Sequence, residues 1–151
     1  MLQGMHGTIV CGVTDSAESR DAAQLAAALA TRLGLRLVLA HVVAGADTTG
    51  SDGRVGAEQM LEAIEHAIGD EAETRLVHGN LVDGLAGIAA EEGADVIVLG
   101  SRPRGARGRQ LRCALACELE AVQSVPVLIA PPATRERSRQ RLTLAEAAAK
   151  R

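Results

Sequence analysis

A short apolar run at residues 96–99 stands between Asp95 and Gly100 and leads directly into a loop rich in glycine and arginine that extends to Arg109. Four consecutive apolar residues with these boundaries are typical of a strand that is buried on both faces of a parallel sheet. Open α/β sheets bind ligands at the carboxyl ends of their strands, and a glycine-rich turn before a helix offers backbone N–H groups to phosphate. The loop after Gly100 is therefore the first candidate for a functional site.

Along the rest of the chain, short apolar runs alternate with longer stretches in which Ala and Leu recur at helical spacing. The order strand, helix, strand requires parallel pairing with a right-handed connection. The pattern predicts strands at 8–13, 36–43, 74–78, 95–99 and 126–130, helices at 18–33, 55–68, 81–92 and 110–122, and a polar loop at 44–56. In the first and last helices, the apolar positions expected to face the core are Ala22, Leu25, Ala26, Leu29 and Leu33, and Leu111, Ala114, Leu115 and Leu119.

The composition limits both the core and the ligand contacts. The chain has 151 residues, about the size of one domain, and no aromatic residue. The core must therefore consist of Ala, Val, Leu and Ile, and a bound base cannot stack on a ring, which argues against a nucleic-acid partner. Because no apolar run could cross a bilayer and no signal peptide pattern is visible, we expect a cytoplasmic protein without a membrane partner.

Charge is distributed unevenly along the chain. Residues 1–101 carry a net charge of −10, whereas residues 102–151 carry +7. The basic residues are concentrated in the loop after Gly100 and in the carboxyl-terminal tail. A basic loop can attract phosphate, but an ordinary solvated surface explains the same charges, and both interpretations stay open.

Several common kinds of site are missing. Cys11, Cys113 and Cys117 form no zinc or redox spacing, and we expect Cys113 and Cys117, four residues apart on a predicted helix, to pack in the core. The only lysine is Lys150, which excludes a Walker phosphate loop, and the glycines after the fourth strand do not match the Rossmann dinucleotide pattern. Since no nucleophile elbow, general base or metal cluster is visible, we expect no enzymatic activity and no metal.

From about residue 8 to residue 130, the chain resembles the universal stress protein family. The resemblance rests on the order and spacing of five segments: IVCGV at 9–13, LVLAHV at 37–42, VHG at 77–79, ADVIVLGSR at 94–102 and VPVLI at 125–129. It implies an open, doubly wound α/β domain of the adenine nucleotide alpha hydrolase-like kind, with four helices and five parallel strands in the order 3-2-1-4-5. We expect this domain to cover residues 1–132, followed by an Arg- and Ala-rich tail at 133–151 that is disordered or forms a marginal helix.

In the ATP-binding branch of this family, the phosphate motif is Gly, two residues, Gly, nine residues, Gly and then Ser or Thr. Without gaps, the motif falls on Gly100, Pro103, Cys113 and Ala114, and only Gly100 agrees with it. Pro103 offers no N–H, the side chain of Cys113 takes space close to a phosphate, and Ala114 has no hydroxyl to donate. The resemblance therefore implies a phosphate site that has lost several of its contacts.

The same alignment places the other ligand contacts of the family. The acidic residue at the end of the first strand falls on Thr14, with Asp15 one residue late, and the backbone groups that hold adenine fall on Val42. Arginines of the loop, such as Arg102, offer charge in place of the lost amides, although such contacts are weaker and less specific than those of oriented amides. The candidate cofactor-binding residues are Val13, Thr14, Asp15, Val42, Gly100, Arg102, Gly105, Cys113 and Ala114.

Two functions stay open at this point. The first is a non-enzymatic stress-response or regulatory module that acts as a dimer or through a protein partner, binds nucleotide weakly or not at all, and needs no cofactor. The second is a protein that binds ATP or another adenine nucleotide, with at most slow hydrolysis. The altered motif favours the first, and the resemblance implies a homodimer through the edge strand that begins at Pro126 and ends at Ala130.

Overall fold

The computed structural model describes residues 7–43, 51–69, 71–101, 114–122 and 124–131, without the side chains of residues 51 and 52. Strands and helices alternate along these segments, as the apolar pattern predicts. The strands are β1 (Thr8–Gly12), β2 (Arg36–Val43), β3 (Glu73–His78), β4 (Val96–Gly100) and β5 (Val127–Ala130). The helices are α1 (Ala17–Leu33), α2 (Ser51–Ile68), α3 (Leu81–Glu92) and α4, which covers residues 114–122.

The five strands form one parallel sheet in the order β3-β2-β1-β4-β5, which confirms the predicted fold class. β1 is the central strand and pairs with β2 on one side and β4 on the other. In chain order, β2 and β3 are added on one side of β1, and β4 and β5 are then added on its other side. The connections that follow β1 and β4 therefore leave the sheet side by side, at the topological switch point where α/β sheets bind ligands.

Two hydrophobic clusters cover the two faces of the sheet, because successive strand residues point to opposite faces. α1 and α2 pack on one face, and α3 and α4 pack on the other. α1 contributes mainly alanines, whose small side chains let the helix lie close to the strands. The first cluster includes Ile9, Cys11, Leu39, Val98, Ala22, Ala26, Leu61 and Ile64, and the second includes Val10, Val38, Ile97, Leu99, Leu85, Ile88 and Leu119.

The largest difference from the sequence prediction is the start of α2. The helix is expected to begin at residue 55, but it begins at residue 51, although Gly53 and Gly56 lie in its first turns. Each glycine costs a helix up to about 1 kcal/mol relative to alanine, but tertiary packing overrides propensity. Here Leu61 and Ile64, further along the same helix, are buried in the first cluster. Several predicted strand boundaries differ from the structure by one residue.

Three residues predicted to face the core are exposed instead. Leu33 is exposed at the carboxyl end of α1, and on α4 both Ala114 and Cys117 are exposed. The inward side of α4 carries Leu115 and Leu119. Cys117 lies two residues after Leu115, about 200° around the helix axis, so the two cannot share a face. The prediction for Cys113 and the predicted tail at 133–151 fall outside the described residues.

α3 lies close to the sheet at Gly84. A Cβ atom at Gly84 would be 2.8 Å from Cγ2 of Val42 and 3.2 Å from Cγ2 of Val77, whereas one at Gly87 would meet no described atom within 4 Å. We expect Gly84→Ala to lower the free energy of unfolding by about 1–3 kcal/mol through overpacking. Gly87→Ala, on the same helix, should raise it by up to about 1 kcal/mol. Urea unfolding of the two variants checks both signs, and a stabilising Gly84→Ala would contradict the packing described.

Cys11 should make the protein sensitive to alkali. Its burial raises the pKa of the thiol from about 9 to about 12. Between these values the unfolded chain loses a proton that the folded chain keeps, so the free energy of unfolding should fall by about 1.4 kcal/mol per pH unit. The chain has no tyrosine and one lysine, so few other groups titrate in this range.

Urea unfolding between pH 8 and pH 11 measures this slope. We expect Cys11→Val to remove it and Cys117→Ser, at the exposed thiol, to keep it. An unchanged slope in Cys11→Val would show that another group is responsible.

Candidate functional site

A cleft of about 260 Å³ opens at the carboxyl edge of the sheet, between the ends of β1, β2 and β4 and the helices α3 and α4. The described residues that line this cleft are mainly apolar, with hydroxyl groups at one side, and none of them has a titratable side chain. Gly12 forms part of the floor: a Cβ atom there would lie 2.8 Å from Cδ2 of Leu99. The described lining residues are Gly12, Val13, Thr14, Ser19, Ala40, Val42, Leu81, Leu85, Leu99 and Leu115.

Hydroxyl groups hold the turn between β1 and α1 in place. Ser16 caps α1, and its Oγ accepts from the N–H of Ser19 at 3.2 Å and from the hydroxyl of Thr14 at 3.1 Å. The Oγ of Ser19 accepts from the N–H of Thr14 at 2.9 Å and lies 3.0 Å from its hydroxyl. Ser19 is almost fully buried, with 2 % of its surface exposed. These bonds keep Thr14 at the edge of the cleft.

Ser19 was not predicted as a site residue. Its signal in the sequence is the polar run Thr14-Asp15-Ser16 followed three positions later by Ser19, a pattern typical of a capped helix start. The pattern indicates the cap but not that Ser19 would line a cavity, because that depends on where β4 and α3 lie.

Asp15 lies outside the described lining of the cleft. Its carboxylate pairs with Arg20 at 3.0 Å, and both side chains are well exposed to solvent. An exposed pair of this kind contributes little to stability. At the end of β1 the structure therefore places a neutral hydroxyl at the cleft and the carboxylate on the surface.

Val13 and Val42 meet at the cleft through the pairing of β1 with β2. The N–H of Val13 donates to the carbonyl of Ala40 at 2.8 Å. The carbonyl of Val13 accepts from Nδ1 of His41 at 2.7 Å, because a carbonyl oxygen can only accept. Both backbone groups of Val13 are thus occupied; Val13 and Val42 both belong to the described lining, and the side chain of Val13 is buried in the first cluster.

Gly100 is buried where β4 meets the first turn of α1. A Cβ atom at Gly100 would lie 2.8 Å from the carbonyl oxygen of Glu18 and 3.1 Å from the backbone nitrogen of Ser19. The absence of a side chain at Gly100 therefore lets α1 approach the sheet. Gly100 and the exposed Ala114 do not belong to the described lining, and the candidates Arg102, Gly105 and Cys113 fall outside the described residues.

Ser101, directly after β4, is a further polar residue at this edge that the site prediction did not include. Its N–H donates to the carbonyl of Ala130 at 3.2 Å. Its Oγ is buried and has no hydrogen-bond partner among the described residues. In the sequence Ser101 belongs to the segment ADVIVLGSR at 94–102, but that segment does not reveal the burial of its hydroxyl, which depends on the assembled sheet.

Neither a metal site nor a membrane helix emerges from the described segments. Within them, no group of three or more His, Cys, Asp or Glu side chains could hold a metal ion. None of their helices combines the length and the hydropathy that crossing a membrane requires.

The solved structures that resemble this fold include several universal stress proteins. Among solved structures, the fold is similar to a protein of the universal stress protein family from Burkholderia pseudomallei (26% identity, 86% of this chain and 98% of that chain covered, TM-score 0.59). It is also similar to a universal stress protein in complex with cAMP (23% identity, 85% and 98% covered, TM-score 0.65). A third similar structure is the universal stress protein from Archaeoglobus fulgidus in complex with dAMP (22% identity, 83% and 98% covered, TM-score 0.60).

No curated protein sequence matches the chain significantly. The sequence model of the universal stress protein family, however, matches residues 5–131 and so includes every strand of the sheet and all sides of the cleft. The chain belongs to the universal stress protein family.

Proposed function

We propose that this protein is a non-enzymatic regulatory module whose cleft holds the nucleoside part of an adenine nucleotide with low affinity. The observation that carries the proposal is the cleft itself: about 260 Å³, mainly apolar, with hydroxyls at one side. Small-molecule sites are concave and mainly apolar with a few polar groups, and they commonly measure about 300–1,000 Å³. A cleft slightly below this range suits a nucleoside or its monophosphate better than a triphosphate.

Adenine nucleotides are the favoured ligand class because two similar structures are complexes with cAMP and dAMP. The base would lie against Ala40 and Val42, where apolar side chains replace the aromatic rings that the chain lacks. Such a base contact needs no charged side chain.

Low affinity for the outer phosphates follows from the altered motif. Pro103 has no N–H to donate and Ala114 has no hydroxyl. Ala114 is also exposed on α4 and does not belong to the described lining. The β- and γ-phosphates of ATP therefore lose two donors that the family motif supplies, and charge contacts in solvent contribute little in their place.

A non-enzymatic role is supported by the chemistry of the lining. The hydroxyls of Thr14 and Ser19 lie within hydrogen-bond distance of each other, and that of Thr14 also donates to Ser16. No titratable side chain of the described lining lies beside them as a base. Burial raises the pKa of the Cys11 thiol to about 12, so this group is not a thiolate at neutral pH. Nothing in the described lining can activate a water molecule or a nucleophile.

Calorimetric titration with AMP and with ATP and magnesium tests the proposal. We expect dissociation constants of roughly 0.1–1 mM for both, within about threefold of each other, because the outer phosphates add little. If ATP bound with a micromolar dissociation constant, at least about tenfold tighter than AMP, this would favour the alternative of an ATP-binding protein.

The triple variant Pro103→Gly, Cys113→Gly, Ala114→Ser should bind ATP more tightly than the wild type in the same titration, because it restores the family motif. The control Ala121→Ser, at an exposed position of α4, should not.

We further propose that two copies pair through β5. β5 is an edge strand of the sheet, and Leu128 on it is 40% exposed, close in sequence to Val122, which is 55% exposed. An edge strand with exposed apolar side chains is usually covered, and a second copy of the same strand would cover it.

Light scattering of the purified protein at micromolar concentration tests this pairing. We expect a dimer for the wild type and a shift toward monomer for Leu128→Lys. Leu33→Lys, an equally drastic change at an exposed position of α1, should leave the dimer intact. A wild-type monomer would show that β5 does not pair in this way.

A further inference from the structure

The side chain of His41 bonds to the carbonyl of Val13, at the point where the chain leaves the sheet. Val13 directly follows β1 and is 2% exposed. Its carbonyl accepts from Nδ1 of His41 at 2.7 Å, so this ring nitrogen carries a proton. A buried carbonyl without a hydrogen bond costs folding free energy. His41 therefore supplies a bond that another donor would have to replace.

The register of the sheet identifies the backbone donor whose place His41 takes. β1 and β2 pair as far as Gly12, which lies opposite Ala40. Beyond this pair, the N–H of Val13 still donates to the carbonyl of Ala40. In a regular parallel ladder, the carbonyl of Val13 would next accept from the N–H of Val42. In the structure it accepts from the ring of His41, and the ladder ends one bond earlier.

The N–H of Val42 is left without a hydrogen-bond partner among the described residues. Along a parallel strand, the backbone groups point alternately to its two neighbours. On β2, the N–H of Arg36 and the carbonyl of Ala40 both bond toward β1. The carbonyl of Val43 instead accepts from the N–H of Gly79, on the side of β3. The N–H of Val42 therefore points past the end of β1, and no described residue accepts from it.

His41 itself does not belong to the described lining of the cleft, whereas Val42 does. Residues two apart on a strand face the same side of the sheet. His41 therefore faces the side of α1 and α2, as Leu37 and Leu39 do. Val42 packs against the cluster on the opposite face, where α3 and α4 lie. Any effect of His41 on a ligand must pass through the backbone, which makes it a positioning residue.

We infer that His41 keeps the N–H of Val42 free to donate to the base of a bound nucleoside, because its ring holds the carbonyl of Val13. Without the ring, this buried carbonyl would accept from the N–H of Val42, since buried backbone groups are almost always paired. The ladder would then extend by one bond, and the cleft would lose a donor. The ligand in this inference rests on the proposed function, whereas the competition between the two donors does not.

Amide hydrogen exchange of the full chain without ligand, read by NMR, tests this competition. His41→Leu removes the ring donor, and His41→Asn restores one, because its amide nitrogen is attached to Cγ as Nδ1 is. His78→Leu, at an exposed position of β3, is the matched control. In His41→Leu, the N–H of Val42 should exchange at least about tenfold more slowly than in the wild type, because it joins the ladder. The other two variants should keep the wild-type rate.

The direction of the change separates positioning from stability. If His41 only stabilised the fold, its loss would speed exchange along the whole of β2, because local opening would become more frequent. Faster or unchanged exchange at Val42 in His41→Leu would therefore overturn the inference. If this variant does not fold, the wild type decides. There the N–H of Val42 must exchange faster than the ladder amides of β2, and AMP must slow it; an N–H that is already protected without ligand would overturn the inference.

Calorimetric titration with AMP and with adenosine measures the consequence for binding. His41→Leu should bind both ligands roughly fivefold more weakly than the wild type, because one neutral hydrogen bond to the base is lost. A loss confined to AMP would place the contact on the phosphate and overturn the inference. A wild type that binds neither ligand would overturn the proposed function and the ligand's part in this inference. If the wild type binds both and His41→Leu binds them equally well, this inference alone fails.

Discussion

The parallel pairing of β1 with both β2 and β4 is the constraint on which the rest of the structure depends. At the amino end of this pairing, the N–H of Thr8 donates to the carboxylate of Asp95 at 2.8 Å, and the N–H of Asp95 donates to the carbonyl of Thr8 at 2.8 Å. These bonds align β4 with β1 in one register. At the carboxyl end, the same alignment brings the turn after Gly12 beside the segment after Gly100, and the cleft lies there.

A core without aromatic rings makes small residues unusually important. Alanines on α1 and the glycines at positions 84 and 100 let helices and strands approach to distances that a Cβ atom would not permit. Two further small residues, Gly12 and Ala40, lie side by side at the carboxyl edge and line the cleft. At Gly12 the absence of a Cβ atom leaves room for the side chain of Leu99, which lines the cleft as well.

α3 separates two chemically different ends of the domain. Leu81 and Leu85, in its first half, line the cleft, whereas Glu91 and Glu92 at its other end form ion pairs with arginines of β2 and β3. Hydrogen bonds to Glu91 and Glu92 raise the pKa of Arg75, so this guanidinium stays charged throughout the accessible pH range. These ion pairs lie at the end of α3 that is far from the cleft, whereas the described lining of the cleft has no charged side chain.

The sequence by itself determined the order of strands and helices, because each apolar run and each Ala- and Leu-rich stretch is a local signal. With the family resemblance it also determined the strand order and the altered phosphate motif at Pro103, Cys113 and Ala114. Only the tertiary structure decided that Asp15 pairs with Arg20, that Gly100 packs on α1, and that Ser19 lines the cleft. Local periodicity specifies which face of its own element a residue occupies. A cleft is formed by residues far apart in the chain, so its lining depends on how β1, β2, β4, α3 and α4 pack together.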